Sequence, residues 1–113
     1  MKHGEIWEIN LSPTLGAEIK KKRPAVIVSD DAIGVLPLKV IVPITEWQEH
    51  FQGAIWLVRI EPDDRNGLAK RSAIDTFQIR SVSTTRFVQK IGMVSESILE
   101  EIKTAVRAVI DAD

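Results

Sequence analysis

The stretch Ala25-Val26-Ile27-Val28 is apolar at four consecutive positions, and Val40-Ile41-Val42 repeats the pattern one loop later. A strand with one face in water alternates apolar and polar residues, so an unbroken apolar run indicates a strand covered on both faces. Strands of this kind lie at the centre of a closed or doubly packed sheet. The two runs therefore predict a β protein with both strands in the interior of its sheet.

Other runs rich in Val, Ile and Trp surround these two and are separated by turn residues. They predict six strands, at residues 5–11, 23–29, 39–45, 54–60, 72–75 and 87–93. From Ser95 onward the apolar residues recur at helical spacing, which predicts a C-terminal helix. Ser95 or Ser97 is the expected N-cap, and Ser97 with Glu100 fits a Ser-x-x-Glu capping box. The predicted fold class is mainly β with an added helix: a small antiparallel barrel, which abolishes sheet edges, with the helix over one end.

The composition is that of a globular protein, with 113 residues of which 44% are hydrophobic and 27% charged. We therefore expect one domain over residues 1–113. The net charge of −1 excludes a bulk polycation, so any nucleic-acid binding must come from a local patch. The absence of cysteine excludes a thiol nucleophile and thiolate metal sites, and His3 and His50 leave little for other metal sites. We expect no metal or other cofactor.

Targeting signals are absent from the sequence. The N-terminus lacks the apolar stretch of a secretory signal, and the longest apolar runs are far shorter than a membrane span. The sequence therefore predicts a cytoplasmic protein without a membrane segment.

The densest cationic stretch is Lys20-Lys21-Lys22-Arg23, directly before Pro24 and the first apolar run. One interpretation is a solubilising run that protects the end of a strand. The other depends on position: Arg23 begins a largely buried strand, and Pro24 restricts the residue before it to extended backbone angles. A guanidinium oriented in this way beside three lysines is suited to bind phosphate oxygens.

Two further polar residues are candidates for the same site. Thr45 ends the third predicted strand, where threonine usually forms only local hydrogen bonds. Spacing alone does not place it beside Arg23, although adjacent strands would allow this. Glu18 lies in the loop before the lysines and is equally interpreted as an exposed carboxylate that offsets their charge.

An aromatic stretch follows Thr45, with Trp47 and Phe51 on either side of His50. Such aromatic residues usually pack in the protein, but exposed ones stack on unpaired bases. Histidine is the side chain suited to act as a base near neutral pH, so His50 is a candidate base, although the sequence identifies no partner for it.

A series of motifs in one order resembles the MazF/PemK toxin family, from about Gly4 to the last helix. The motifs are Gly4-Glu5-Ile6-Trp7, Ser12-Pro13-Thr14-Leu15-Gly16-Ala17-Glu18, Lys22-Arg23-Pro24-Ala25-Val26-Ile27-Val28-Ser29, Val42-Pro43-Ile44-Thr45, Ser72-Ala73, Phe77-Gln78-Ile79-Arg80-Ser81-Val82, Arg86-Phe87 and Ile91-Gly92. The resemblance implies an SH3-like barrel with helical additions, assembled as a homodimer. It also implies a metal-independent, sequence-specific endoribonuclease that cuts single-stranded RNA, mostly messenger RNA, and a MazE-like antitoxin as partner.

Carried over position by position, the resemblance assigns catalytic roles to Arg23, Thr45 and Glu18. The RNA-binding candidates are the family's RNA-contact and loop positions together with the loop lysines and one tryptophan: Gly16, Lys20, Lys21, Lys22, Trp47, Ser72 and Gln78. In the implied reaction, an RNA 2′-hydroxyl attacks the adjacent phosphate and gives a 2′,3′-cyclic phosphate and a 5′-hydroxyl. Arg23 and Thr45 would stabilise the growing negative charge, and Glu18 would act as a base or orient Arg23.

The chain departs from the family pattern around the expected groove. Ile19-Lys20-Lys21-Lys22 stands where many relatives have Gln-Gly-Gly, and Phe77 stands where an acidic residue often precedes Gln-Ile-Arg. Glu46-Trp47 follows Thr45 where small polar residues are frequent. The base preference of relatives is therefore not carried over to this chain.

Two other functions compete with this interpretation. CcdB-type toxins share the architecture but poison DNA gyrase through protein contacts, with the key residues on the terminal helix. A catalytically silent barrel that only binds RNA or a protein would depend more on Trp47 and Phe51 than on Thr45. The presence of Arg23, Thr45 and Glu18 together argues for the nuclease.

Overall fold

The computed structural model describes residues 1–34 and 36–112. Its seven strands are β1 (Glu5–Asn10), β2 (Lys22–Ile27), β3 (Leu38–Glu46), β4 (Leu57–Ile60), β5 (Ser72–Asp75), β6 (Arg80–Ser83) and β7 (Phe87–Met93). One helix, α1 (Glu96–Val109), follows them. The six predicted strands are all present, and the mainly β class with a C-terminal helix is confirmed. Strand β6 was not predicted, because four residues with a single buried side chain, Val82, carry too short a pattern.

All strand pairs in the sheet are antiparallel, in the order β4-β5-β3-β2-β1-β7, and β6 also pairs with β3. The longest strand, β3, pairs along one edge with β2. Its other edge is shared: the first half pairs with β6 and the last three residues pair with β5. The two strands with unbroken apolar runs, β2 and β3, are thus both interior, as predicted.

The continuous apolar runs are explained by two core clusters, one on each face of the sheet. Val26 and Val42 belong to the cluster beneath α1, whereas Ala25, Ile27 and Ile41 belong to the cluster on the opposite face. Successive side chains of a strand point to opposite faces, so a strand between two cores needs apolar residues at every position.

Helix α1 covers the first of these clusters with Leu99, Ile102 and Ala105. Ser95 is its N-cap, since the hydroxyl accepts a hydrogen bond from the Ile98 N–H at 3.2 Å. The predicted Ser97–Glu100 capping box is therefore wrong, because the helix begins at Glu96 and Ser97 already lies within its first turn. Within the described ranges, no helix is both long enough and apolar enough to cross a membrane.

The sheet is not closed by a continuous ladder, since β4 and β7 form its two ends. The loop between β4 and β5 fills this gap: the Met93 N–H at the end of β7 donates to the Arg65 carbonyl at 3.0 Å. Gly92 permits the approach, because a Cβ at this position would collide with the Arg65 carbonyl oxygen. The barrel edge is thus covered by a loop instead of a strand pair.

A cluster of charges around Glu5 ties β1 to β7 and to the N-terminus. The Glu5 carboxylate accepts hydrogen bonds from the Trp7 indole at 2.9 Å and the Lys2 amide at 3.0 Å, and it pairs with Lys90 at 3.1 Å. Burial raises the pKa of Glu5, but these bonds together outweigh it and lower the pKa from 4.5 to about 2.

We expect Glu5→Gln to lower the free energy of unfolding by about 1–2 kcal/mol at pH 7, allowing for solvent screening. A folded-state pKa below the unfolded value stabilises the protein above pH 4.5, and this contribution is lost as the pH falls towards 2. The difference between variant and wild type in denaturant unfolding should therefore shrink across that range. Glu8→Gln, on the same strand but outside the cluster, is the control. A constant difference from pH 7 to pH 2.5 would contradict the assignment.

Candidate functional site

Arg23 and Thr45 line one cavity of about 210 Å³ at the ends of β2 and β3, together with Ser72 and Lys70. The β2–β3 register pairs Ala25 with Pro43, and its continuation by two residues sets Arg23 opposite Thr45. Sequence spacing did not reveal this proximity, because it arises from the pairing of the two strands.

Arg23 lies at the exposed start of β2, before the buried residues of the strand. Its Nε donates to the Lys20 carbonyl at 3.4 Å, a long and weak hydrogen bond. Pro24, the next residue, is half-buried and holds the backbone in an extended strand. The guanidinium is thus attached to a fixed backbone while most of its donors face the cavity and solvent.

Glu18 is not in the cavity that contains Arg23 and Thr45. It lines a second, larger cavity of about 530 Å³, together with Gln78, Arg80 and Pro43. The Glu18 carboxylate accepts a hydrogen bond from the Leu15 N–H at 2.6 Å, within its own loop. Pro43 lies two residues before Thr45 on β3, so the two cavities border the same strand. The structure therefore brings two of the three predicted catalytic residues together and puts the third in the neighbouring cavity.

A carboxylate that sequence reasoning missed lies in the first cavity itself. Glu46 lines it beside Thr45, and its Oε2 lies 3.8 Å from Lys70 Nζ. The only signal in the sequence was the departure from the family pattern directly after Thr45. Ser72 is buried in the same cavity, and its hydroxyl donates to the Lys70 carbonyl at 2.8 Å. The Ser72 oxygen therefore faces a ligand mainly as an acceptor.

Gln78 is held by two hydrogen bonds inside the protein. Its Oε1 accepts from the Ile19 N–H at 2.7 Å, and its Nε2 donates to Asp75 Oδ2 at 3.1 Å. Asp75 also accepts from the Phe77 N–H at 3.1 Å and so caps the short 3-10 helix Thr76–Gln78. Burial raises the pKa of Asp75, and the bonds from Phe77 and Gln78 partly counter this. Asp75 was not among the sequence candidates, since a single aspartate at the end of a strand has no distinguishing pattern.

The basic run forms one side of the loop between β1 and β2. Lys20, Lys21 and Lys22 are exposed, and Lys21 has a positive φ of 71°. The Lys21 backbone closes the base of the loop, because its carbonyl accepts from the Leu11 N–H at 3.1 Å. Gly16 lies near the loop tip with a φ of 57°, which favours glycine. These positions suit contacts with a polyanion, and they equally suit a solubilising run.

Trp47 is half-buried, and much of its ring is covered. The Arg59 guanidinium lies 5.2 Å from the ring centroid, and Phe51 packs edge-on at 5.8 Å. Arg59 is in turn paired with Glu61 at 3.0 Å. His50 is exposed and packs against Phe51 at 4.7 Å. The aromatic stretch is therefore a packed surface cluster, in which Arg59 and Phe51 both contact the Trp47 ring.

Neither histidine lines the cavity of Arg23 or the cavity of Glu18. His3 Nδ1 is 3.2 Å from the Ser29 carbonyl oxygen, whereas His50 packs beside Phe51. Among residues 1–34 and 36–112, no three His, Asp or Glu side chains are grouped as metal ligands.

Comparisons with known proteins identify the family of this chain. A profile of the family described as PemK-like, MazF-like toxin of type II toxin–antitoxin system matches residues 2–110. The chain is 29% identical over 117 residues to endoribonuclease MazF9 of Mycobacterium tuberculosis (strain ATCC 25618 / H37Rv), covering 98% of this chain and 97% of the relative. It is 31% identical over 104 residues to endoribonuclease PemK of Escherichia coli, covering 90% and 76%.

A solved structure supports the fold in the same way. An endoribonuclease in complex with its cognate antitoxin, from Mycobacterial species, superposes with a TM-score of 0.79 at 18% identity, covering 100% of this chain and 97% of its own. At that identity the superposition establishes only the shared fold. The family profile, by contrast, spans nearly the whole chain and includes both cavities. The chain therefore belongs to the PemK-like, MazF-like toxins of type II toxin–antitoxin systems.

Proposed function

We propose that this chain is a metal-independent endoribonuclease that cuts single-stranded RNA, chiefly messenger RNA, in the cytoplasm. The observation that supports the proposal most directly is the shared cavity of Arg23 and Thr45. Relatives named as endoribonucleases align over most of the chain, which favours this activity over a CcdB-like gyrase poison or a silent barrel. The solved relative in complex with its antitoxin supports a MazE-like antitoxin as the partner.

In the proposed reaction the ribose 2′-oxygen attacks the adjacent phosphorus, and the bond to the 5′-oxygen breaks. The 2′-hydroxyl proton passes to a base, and a proton is delivered to the departing 5′-oxygen, so the products are a 2′,3′-cyclic phosphate and a 5′-hydroxyl. Negative charge grows on the non-bridging oxygens, where the Arg23 guanidinium and the Thr45 hydroxyl stabilise it. A guanidinium stays protonated in proteins and is therefore a poor base. Glu18 accepts the proton or orients Arg23, with its position maintained by the Leu15 N–H.

We expect discrete cuts with 5′-hydroxyl ends when the protein is incubated with a long, weakly structured RNA in excess EDTA. Arg23→Ala and Thr45→Ala should each lower the cleavage rate at least about 100-fold, since each removes a donor that stabilises the transition state. The free energy of unfolding of both variants should stay within about 1 kcal/mol of the wild-type value, because Arg23 is exposed and Thr45 is half-buried.

Glu18→Gln and Glu46→Gln form a matched pair in the same assay, since the two carboxylates line neighbouring cavities. Loss of activity in Glu18→Gln alone supports its catalytic role, and loss in Glu46→Gln alone transfers that role to Glu46. Folded wild-type protein that leaves several RNAs intact would contradict the nuclease and favour the gyrase-binding or silent alternatives.

RNA binding should weaken with salt, because the lysines at 20–22 are exposed and lie in the chain between Glu18 and Arg23, which line the two cavities. Replacing all three by alanine should reduce the slope of log affinity against log salt concentration by about 2, at about 0.7 for each lost contact with single-stranded RNA. The measurement uses the uncleavable Thr45→Ala background. A control that replaces Lys39, Lys103 and Arg107 removes the same charge from other parts of the fold. An equal loss of slope in both triple variants would contradict a local phosphate contact.

The chain is also proposed to form a homodimer. Ile55 (74% exposed), Trp56 and Phe77 (72% exposed) line an apolar cavity of about 280 Å³ with the C-terminal end of α1. Exposed apolar patches of this kind mark interaction surfaces, and Phe77 also borders the cavity of Glu18. A second copy on this patch would extend the Glu18 cavity of each protomer.

Sedimentation at micromolar concentration should give a dimer for the wild type and a shift towards monomer for Ile55→Lys. Ile33→Lys, at an equally exposed isoleucine in another loop, should leave the dimer intact. A monomeric wild-type protein would contradict the proposed assembly.

A further inference from the structure

The loop that carries Glu18 is joined to the rest of the sheet through its neighbour Ile19. The Ile19 N–H donates to Gln78 Oε1 at 2.7 Å, across 59 residues of sequence. The Ile19 side chain packs against the core cluster on the face opposite α1. Glu18 precedes Ile19 directly, so the place of its carboxylate depends on where Ile19 is held.

The orientation of the Gln78 amide is determined by chemistry on both sides. The Ile19 N–H can only donate, so it requires the amide oxygen of Gln78. The Asp75 carboxylate can only accept when ionised, so it requires the amide nitrogen. The two partners therefore select the same orientation, and a flipped amide would lose both hydrogen bonds.

The Asp75 carboxylate accepts hydrogen bonds from two donors, one at each oxygen. Its Oδ1 accepts from the Phe77 N–H and its Oδ2 from Gln78 Nε2, both at 3.1 Å. The residue is half-buried and lies outside the described linings of both the Arg23 and the Glu18 cavities. Its carboxylate thus accepts two hydrogen bonds from within the protein, whereas Gln78 borders the cavity of Glu18.

We propose that Asp75 and Gln78 are positioning residues that hold the Ile19 amide and thereby fix Glu18 in the cavity that it lines. The inference rests on the proposed nuclease function, in which Glu18 takes part. It gives Gln78 a role distinct from the direct RNA contact implied by the family resemblance. Asp75 acts through Gln78, and Gln78 acts through Ile19.

Asp75→Asn tests this chain of contacts with almost no change in shape. Asparagine has an acceptor oxygen at only one of the two carboxylate positions and a donor NH2 group at the other, so the Phe77 N–H and Gln78 Nε2 cannot both keep their present acceptor atoms. If its oxygen caps the 3-10 helix, its amide faces another donor on Gln78, and the Gln78 side chain loses its orientation. We call the hydrogen-bonded series Asp75–Gln78–Ile19 the clamp. The substitution therefore weakens the clamp without removing any group that borders the RNA site.

The first readout is amide hydrogen exchange of Ile19 by NMR in the RNA-free protein. We expect Asp75→Asn and Gln78→Ala to speed the exchange about three- to tenfold, the range for one lost hydrogen bond. The second variant serves if Asp75→Asn does not fold. Ser83→Ala is the matched control, since Ser83 caps the next 3-10 helix by accepting from the Thr85 N–H at 3.2 Å. The control should leave Ile19 exchange and RNA cleavage unchanged.

The second readout is cleavage kinetics. Asp75→Asn should lower kcat about three- to tenfold with KM nearly unchanged, because Glu18 is displaced while the groove keeps its RNA contacts. In the Glu18→Gln background the same substitution should have no further effect on kcat, since residues that act through one another are not additive. A full additional loss in the double variant would overturn the link to Glu18.

The outcomes separate the clamp from the proposed function. Unchanged Ile19 exchange in a folded Asp75→Asn variant would overturn the clamp, as would faster exchange with wild-type kcat. A raised KM with wild-type Ile19 exchange in Gln78→Ala would assign Gln78 to RNA contact instead. Wild-type protein that cuts no RNA would contradict the proposed function, and Ile19 exchange would still decide whether Asp75 and Gln78 hold the loop.

Discussion

The pairing of β3 along both of its edges is the constraint on which the rest of the structure depends. One edge meets β2, and the other is divided between β6 and β5. Core clusters also cover both faces of β3, so the strand requires apolar residues at successive positions. Helix α1 supplies the cover on one side, and Trp7, Ile19 and Phe87 supply it on the other.

The same pairing creates the functional surface. Because β2 enters the sheet antiparallel to β3, the first residues of β2 meet the last residues of β3, and Arg23 comes to lie near Thr45. The loop before β2 then lies beside the turn between β5 and β6, where Ile19 meets Gln78. The cavity residues are therefore attached to strands whose positions are determined by two cores, which favours a rigid site.

Polar side chains around the site are largely engaged with one another. Gln78 is bound on both sides of its amide, the Ser72 hydroxyl donates to a backbone carbonyl, and Arg59 covers Trp47. Their chemistry suggests ligand contacts when each is considered alone. Their partners show that several of them make hydrogen bonds or ring contacts within the fold. The guanidinium of Arg23 and the exposed lysines are less engaged and are therefore more available to a ligand.

Local pattern by itself determined six of the seven strands, the terminal helix and the interior place of β2 and β3, because burial on both faces leaves a direct trace in composition. The motif order also identified Arg23, Thr45, Glu18 and Gln78 as candidates. Only the tertiary structure decided that Arg23 and Thr45 share a cavity, that Glu18 lies in the next one, and that Gln78 donates a hydrogen bond to Asp75. These relations join residues that are far apart in the chain. They arise from strand register and hydrogen-bond geometry, and neither of these two properties leaves a period or a spacing in the sequence.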